Sequence, residues 1–204
     1  MLCVGQALTT TLGGNVTDFT RADVEVLDRQ TGFKGFYRLD VLTLRHRLFN
    51  GGWGPSLRRE LFVRHDAVCV LPYDPWLDQL VLIEQVRVGA IDKDEAPEQV
   101  AHREAEEEAG LALLDLTPIC RYFPSPGGSD EQVHLYLARV DSRGAGGIHG
   151  LEEEGEDIRV SLWSRSDAMQ ALADGRIDNA ATIIALQWLE MNLAQVRDNL
   201  GPRP

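Results

Sequence analysis

Thirteen residues in mid-chain, Pro97 to Ala109 (PEQVAHREAEEEA), constrain this sequence more than any other stretch. Proline suits the first turn of a helix, where its missing N–H is an orphan anyway. Gly110 suits the residue just past the end, where a left-handed backbone is wanted. Between them lie good helix formers, so the spacing predicts a helix from Pro97 to Ala109. On it Glu104 and Glu108 are a turn apart and share a face, with Glu107 beside them. Four acids in five positions (Glu104, Glu106, Glu107, Glu108) repel one another, and a divalent cation removes that cost. Magnesium takes oxygen ligands, usually one or two carboxylates with phosphate and water. Arg103, four residues before Glu107, is placed to orient it through a charge-assisted hydrogen bond. Ala101, Ala105 and Ala109 form a stripe of small residues fit for close packing on a sheet.

The helix sits in a longer pattern: Gly89, five residues, Glu95, seven residues, then Arg103-Glu104-Ala105-Glu106-Glu107-Glu108-Ala109-Gly110-Leu111. This spacing resembles the Nudix box, with Ala105 as a small version of its first aliphatic position. The resemblance implies an α/β (α+β) Nudix fold, a mixed β-sheet sandwiched between helices. It also implies a magnesium-dependent hydrolase, with manganese as a substitute ion. Glu104 and Glu108 would hold the metal, and Glu107 with Arg103 would belong to the catalytic group.

At 204 residues, 44% hydrophobic and 25% charged, the chain suits one globular domain with an added subdomain. A net charge of −12 argues against a general nucleic-acid binder. A phosphate substrate then needs metal and a local basic patch. Between Arg29 and Arg64 there are eight Lys/Arg against two acids. Cys3, Cys69 and Cys120 are too scattered for a disulfide framework or zinc site, and read as reduced thiols of a cytoplasmic protein. No basic start of a secretory signal precedes Arg21, and no apolar run approaches a membrane span.

Residues 1–20 read as a flexible lead-in, 21–64 as an N-terminal β subdomain and 65–200 as the hydrolase domain. In the subdomain, Val24–Leu27 is a short strand, Gly35–Phe49 a longer one, Asn50-Gly51-Gly52 a turn and Leu57–Val63 a further strand. Strands follow at Ala67–Pro72, Leu80–Val88, Leu114–Phe123, Val133–Val140 and Asp157–Trp163. Gly146–Asp157 reads as an acid-rich loop. Ser164 caps a helix to about Ala173. A last helix runs from Asp178 or Asn179 to about Leu200, with an apolar stripe of Ile183, Ile184, Leu186, Leu189, Leu193 and Val196.

Beyond the box, the segments LRHRLFNGG and LRREL, EQVR (Glu84–Arg87), SPGGSDE (Ser125–Glu131), IHGL with EDIRV, and IDNA resemble the ADP-ribose pyrophosphatases within the Nudix family. That resemblance implies an N-terminal sheet that joins a homodimer, commonly by exchange between subunits. It makes Arg47, Arg58 and Arg59 candidate substrate contacts, Arg87 a phosphate contact and Glu84 a ribose ligand, and Ser125 or Ser129 could bond phosphate or ribose. It carries the general-base role to Glu154 and a further metal-ligand role to Glu156, both in a mobile loop. One departure stands out. Family members enter the box from a separate strand that ends in a Glu-x-x-Ala-Gly-like turn, whereas here the box follows straight from EQVRVGA. Either the strand is truly deleted before Ile91, or residues are lacking from the recorded sequence. The second is favoured, because loss of a central strand would expose ladder groups.

The expected reaction is hydrolysis of ADP-ribose to AMP and ribose 5-phosphate. The rivals are the same chemistry on another nucleoside diphosphate sugar, such as GDP-mannose, and a module that binds ADP-ribose without cleaving it.

Overall fold

The computed structural model describes residues 19–84, 97–151 and 155–198. Contacts divide the chain into two compact units: one runs to Asp66 and includes Phe123–Gln132, and the other holds Ala67–Tyr122 and the chain from Val133 on. Phe123–Gln132, within the 65–200 span in linear order, belongs to the first unit.

The first unit is an antiparallel sheet of β1 (Val24–Lys34), β2 (Arg38–His46) and β3 (Leu57–Val63), in that order. A single 3-10 turn, Arg21–Asp23, precedes it, capped by Thr20. β1 corrects the expected four-residue strand: it is 11 residues long. The expected strand from Gly35 to Phe49 shortens to β2, because Gly35–Tyr37 turns the chain between β1 and β2. Asp40 is the buried residue of the three strands. It accepts from Arg29 Nε (2.6 Å) and the Thr31 hydroxyl (3.1 Å), and pairs with Arg38 (3.2 Å). Burial alone would raise its pKa, but these partners hold the carboxyl below its usual range. The loop Phe123–Gln132 closes on β3: Phe62 N–H donates to Gly128 O, Arg64 N–H to Asp130 Oδ1 and Arg64 Nη1 to Glu131 Oε2.

The second unit is a six-stranded mixed sheet, order β6-β7-β4-β5-β9-β8. Its strands are β4 (Ala67–Asp74), β5 (Gln79–Glu84), β6 (Asp115–Tyr122), β7 (Val133–Arg139), β8 (Gly147–His149) and β9 (Ile158–Ser164). β8 is a strand where a loop was expected. It pairs with β9 through Gly147↔Val160 to His149↔Ile158. The helices are α1 (Pro97–Ala109), α2 (Arg165–Ala173) and α3 (Ala180–Asp198). Ser164 caps α2 by accepting from Asp167 N–H, and Asn179 Oδ1 accepts from Thr182 N–H at the start of α3.

Alternation along the strands gives the sheet two apolar faces. Leu80 faces one cluster, with Leu71, Tyr73, Leu135, Leu137, Ala168 and the α3 residues Ala185, Leu186 and Leu189. Val81, its neighbour, faces the other, with Ala109, Leu111, Val140, Ile158 and Val160. Helices therefore cover both faces, as the sandwich expectation required. Within this sheet β4 pairs with β7 over seven positions, and β5 with β9 over six. Between β4 and β5, among the described residues, there are two rungs, Tyr73↔Leu80 and Asp74↔Gln79. Pro72 would occupy the next one, and it has no N–H to give.

Asp74 fixes the turn from β4 to β5. Fully buried, it accepts from Trp76 N–H, Leu77 N–H, and both the N–H and hydroxyl of Ser142. Burial pushes its pKa up, but these donors outweigh it and lower the carboxyl. Asp78, at φ 53°, then binds Tyr73, Arg165 and Arg197, which ties the turn to α2 and α3.

Candidate functional site

The acid-rich helix forms over the predicted residues, Pro97–Ala109. Ala101 and Ala109 are buried, and α1 lies against β4, β8 and β9. Small side chains at these two positions let the helix approach the sheet closely. Its end is a glycine cap: Gly110 has φ +61°, its N–H donates to Glu106 O, and Leu111 N–H donates to Ala105 O.

Arg103 organises the acidic face. Its Nη1 donates to Glu107 Oε2 at 2.6 Å and its Nη2 lies 2.7 Å from Glu104 Oε1. The two carboxylates are thus held side by side, each with roughly a third of its surface open (30% and 38%). Glu108 is half-buried on the same helix. The donors are all oxygen, which suits a hard divalent cation. Among the described residues no three acids, histidines or cysteines are close enough together to hold an ion. Two carboxylates a turn apart are nevertheless the usual protein share of a magnesium site whose other ligands are phosphate and water. The residues fit such an ion.

The other expected site residues fall in several places. Glu156 is turned into its own loop: its Oε2 accepts from Leu151 N–H (3.2 Å), and its N–H donates to Leu151 O. Glu84 is exposed and paired with Arg159 across the β5–β9 ladder at 3.0 Å. Arg47 lies 4.6 Å from the Trp53 ring centroid, a cation–π contact. Arg58 and Arg59 are exposed neighbours on β3, so strand alternation sends them to opposite faces of the small sheet. Ser125 is exposed, and its carbonyl accepts from Gly128 and Ser129 N–H. Arg87, Glu154, Gly89 and Glu95 lie outside the described residues.

Three contacts were not foreseen. Arg64 sits over Tyr37 (5.3 Å to the centroid) while it bonds Glu131. Tyr136 on β7 donates its hydroxyl to Glu98 Oε1 at 2.9 Å. His149 lies against Gly110, where an added β-carbon would be 2.9 Å from its Cε1. A buried tyrosine in VHLYLARV signals that its hydroxyl needs a partner, but no spacing rule points 38 residues back.

A shallow cavity of about 490 Å³ opens at the C-terminal end of α1, lined among others by Gly110, Leu114, Asp141, Arg143 and His149. None of the α1 glutamates lines it. Among the described residues no helix is long and apolar enough to cross a membrane, and Cys69 and Cys120 form no disulfide.

Comparison with known proteins adds the following. The model of the NUDIX domain matches residues 63–186. An ADP-ribose pyrophosphatase of Escherichia coli K12 is 45% identical over 190 residues, covering 85% of this chain and 91% of that protein. One of Haemophilus influenzae is 40% identical over 203 residues, covering 90% and 94%. A crystal structure of an ADP compounds hydrolase superposes with a TM-score of 0.62 at 22% identity, covering 86% of this chain and 97% of that one, a likeness of fold. The first alignment takes in 85% of 204 residues, about 173, so about 17 of its 190 positions have no residue of this chain opposite them. The second takes in about 184 residues and leaves about 19.

Proposed function

Because the chain belongs to the NUDIX domain family, we propose that it hydrolyses the diphosphate of ADP-ribose to AMP and ribose 5-phosphate with a divalent metal, magnesium or manganese. The observation that carries this reading is the 45% identity, over 85% of the chain, to an ADP-ribose pyrophosphatase. The oxygen-only face of α1 is in keeping with it. Glu104 and Glu108 would hold the ion, with Glu156 as a further ligand. A bound divalent ion would supply charge neutralisation of the diphosphate and a lowered pKa for the attacking water. Arg103 holds Glu107 and Glu104 side by side, which offsets their mutual repulsion. Glu154 takes the proton of the water. Arg87 and Arg47 would offset phosphate charge, with whichever of Arg58 and Arg59 lies on the face that meets the substrate; Glu84 would meet the ribose, and Ser125 the ribose or a phosphate. The bond from Leu151 N–H engages Oε2 of Glu156, and its other carboxylate oxygen would be the ligand.

We further place the enzyme in the cytoplasm, as a homodimer joined through the N-terminal sheet, with no nucleic-acid or membrane partner. β1 is an exposed edge strand, and Val26, Leu27, Phe33 and Phe36 are exposed apolar side chains on or beside it. An edge of that kind calls for cover.

The deciding experiment is AMP release from ADP-ribose by the intact chain, with and without magnesium, beside Glu104→Gln. Magnesium-dependent release that falls about a hundredfold or more in Glu104→Gln is the expected result. Equal or faster turnover of GDP-mannose would move the substrate. A second reading, binding without cleavage, is favoured by the roughly 17 alignment positions that this chain lacks. Under it ADP-ribose would bind with no AMP formed, and the intact mass would agree with 22.7 kDa.

A further inference from the structure

The glutamates of α1 act together only if the helix itself is held still, and its own sequence offers little for that. Its buried residues are two alanines, Ala101 and Ala109, which allow close approach but lock neither rotation nor slide. Two side chains from the sheet meet the helix at its opposite ends. At the first turn, Tyr136 of β7, 6% exposed, donates its hydroxyl to Glu98 Oε1 at 2.9 Å. Burial and the neighbouring carboxylate push the tyrosine to about 12, so it stays a donor, while Glu98 is lowered by its own backbone N–H and by the tyrosine. At the last turn, His149 of β8 covers Gly110. A β-carbon there would meet Cε1 at 2.9 Å and Nδ1 at 3.4 Å, so the ring lies on the glycine's bare Cα. The ring is fixed in turn, since Nε2 donates to Gly146 O at 3.0 Å and β8 is paired with β9.

We propose that Tyr136 and His149 are positioning residues that clamp α1 at both ends and so set where Glu104, Glu107 and Glu108 stand against the sheet. The proposal rests on the reading of Glu104 and Glu108 as metal ligands. Neither residue touches the ion or the substrate, and both act through the helix. His149 carries a second consequence. The next residue, Gly150, packs on Glu156, where a β-carbon would lie 2.7 Å from Glu156 Cβ. The histidine therefore links the helix that bears two proposed ligands to the loop stem that bears the third.

The test uses the full chain and reads Mn2+ binding directly, by electron paramagnetic resonance, alongside amide exchange of α1 and Tm. Tyr136→Phe removes the hydroxyl and keeps the ring. His149→Ala removes both ring and hydrogen bond. Each is expected to weaken Mn2+ binding roughly tenfold, the size of effect found for groups that orient metal ligands. Exchange should quicken near Glu98 in the first variant and near Gly110 in the second. Glu98→Gln keeps an acceptor for the tyrosine and should bind Mn2+ within about twofold of wild type. In turnover, the metal needed for half-maximal rate should rise while kcat at saturating metal holds. Mn2+ affinity within about twofold of wild type in both variants, with a lowered Tm, would overturn the proposal and leave the contacts purely structural. Wild type that bound no Mn2+ would overturn it along with the metal reading. Mn2+ binding without any hydrolysis would overturn the substrate alone and leave the clamp standing.

Discussion

The two sheets of this chain are built on opposite principles. The six-stranded sheet buries apolar side chains on both faces, and α2 and α3 complete one cluster while α1 completes the other. The three-stranded sheet has a single buried strand residue, and that residue is an aspartate. Asp40, Arg29, Thr31 and Arg38 form a polar knot where a core would be. The large apolar groups Phe33, Phe36 and Phe49 stay open, at 62%, 68% and 84% exposure. Burying a charge is tolerable only when it is paired and hydrogen-bonded, so the knot gives the small sheet definition rather than cohesion. Three strands without a covered apolar face are marginal alone. The contrast teaches that the first unit is shaped for a surface that it does not itself contain.

That contrast can be strained at several points. The largest stability effect should come from Leu186→Ala in α3, where a fully buried side chain is lost from the packed cluster. A cost of about 2–5 kcal/mol is expected, read by denaturant unfolding. A cost below about 1 kcal/mol would mean that the cluster repacks freely and is no rigid core. Next, Gly110→Ala should cost about 1–2 kcal/mol from its left-handed backbone alone, at φ +61°, before the His149 clash is added. Indifference of Tm to this change would remove the glycine cap from the account.

Acid should then probe both units through their buried aspartates. Asp40 and Asp74 are each lowered from 3.8, so each contributes stability that is present above 3.8 and is lost as pH falls through its depressed folded value. Asp74→Asn should flatten the acid limb of the large unit, and Asp40→Asn that of the small one. Circular dichroism from about pH 5 to pH 2 reads this out, and unchanged acid limbs in both variants would contradict it. The smallest effect on folding should come from Phe36→Ser, within about 0.5 kcal/mol, as for other exposed positions. The same change should lower the dimer fraction in sedimentation. A large loss of stability in the monomer would show that the aromatic face is covered from within.

Legibility followed the range of the interactions. α1, its proline start and its glycine end were readable because caps and i,i+4 spacing are local, and so was the Arg103–Glu107 pair, whereas the second contact of Arg103, to Glu104, was not. The helix-covered mixed sheet followed from the resemblance and not from alternation: Leu80-Val81-Leu82-Ile83 is apolar throughout, and only the structure sends Leu80 and Val81 to different clusters. β1 was under-read because Asp28, Arg29 and Gln30 break the apolar rhythm, yet an edge strand with both faces wet needs none. β8 was missed because glycines 146, 147 and 150, all at positive φ, read as a loop while His149 and Ile148 still complete a ladder. The partners of Tyr136, His149 and Arg64 were unreadable, since each depends on chain brought from far away in sequence. The departure before the acidic helix was noticed from the sequence. The argument that such a loss would unmake the sheet does not carry over. β5 still joins β4 and β9, and the order of six strands is unbroken.

That joint has a consequence for how the protein breathes. Two rungs, Tyr73↔Leu80 and Asp74↔Gln79, are all that couple β6-β7-β4 to β5-β9-β8 through the backbone among the described residues. The coupling is concentrated at one end, beside the Asp74 and Asp78 knots. A sheet hinged in this way should open as two cooperative halves rather than one. In native-state exchange, the amides of β7 would then share one opening free energy and those of β9 another. Helix α1 touches β4 in one half and β8 and β9 in the other, so it is the helix that would act as a rivet across the divide.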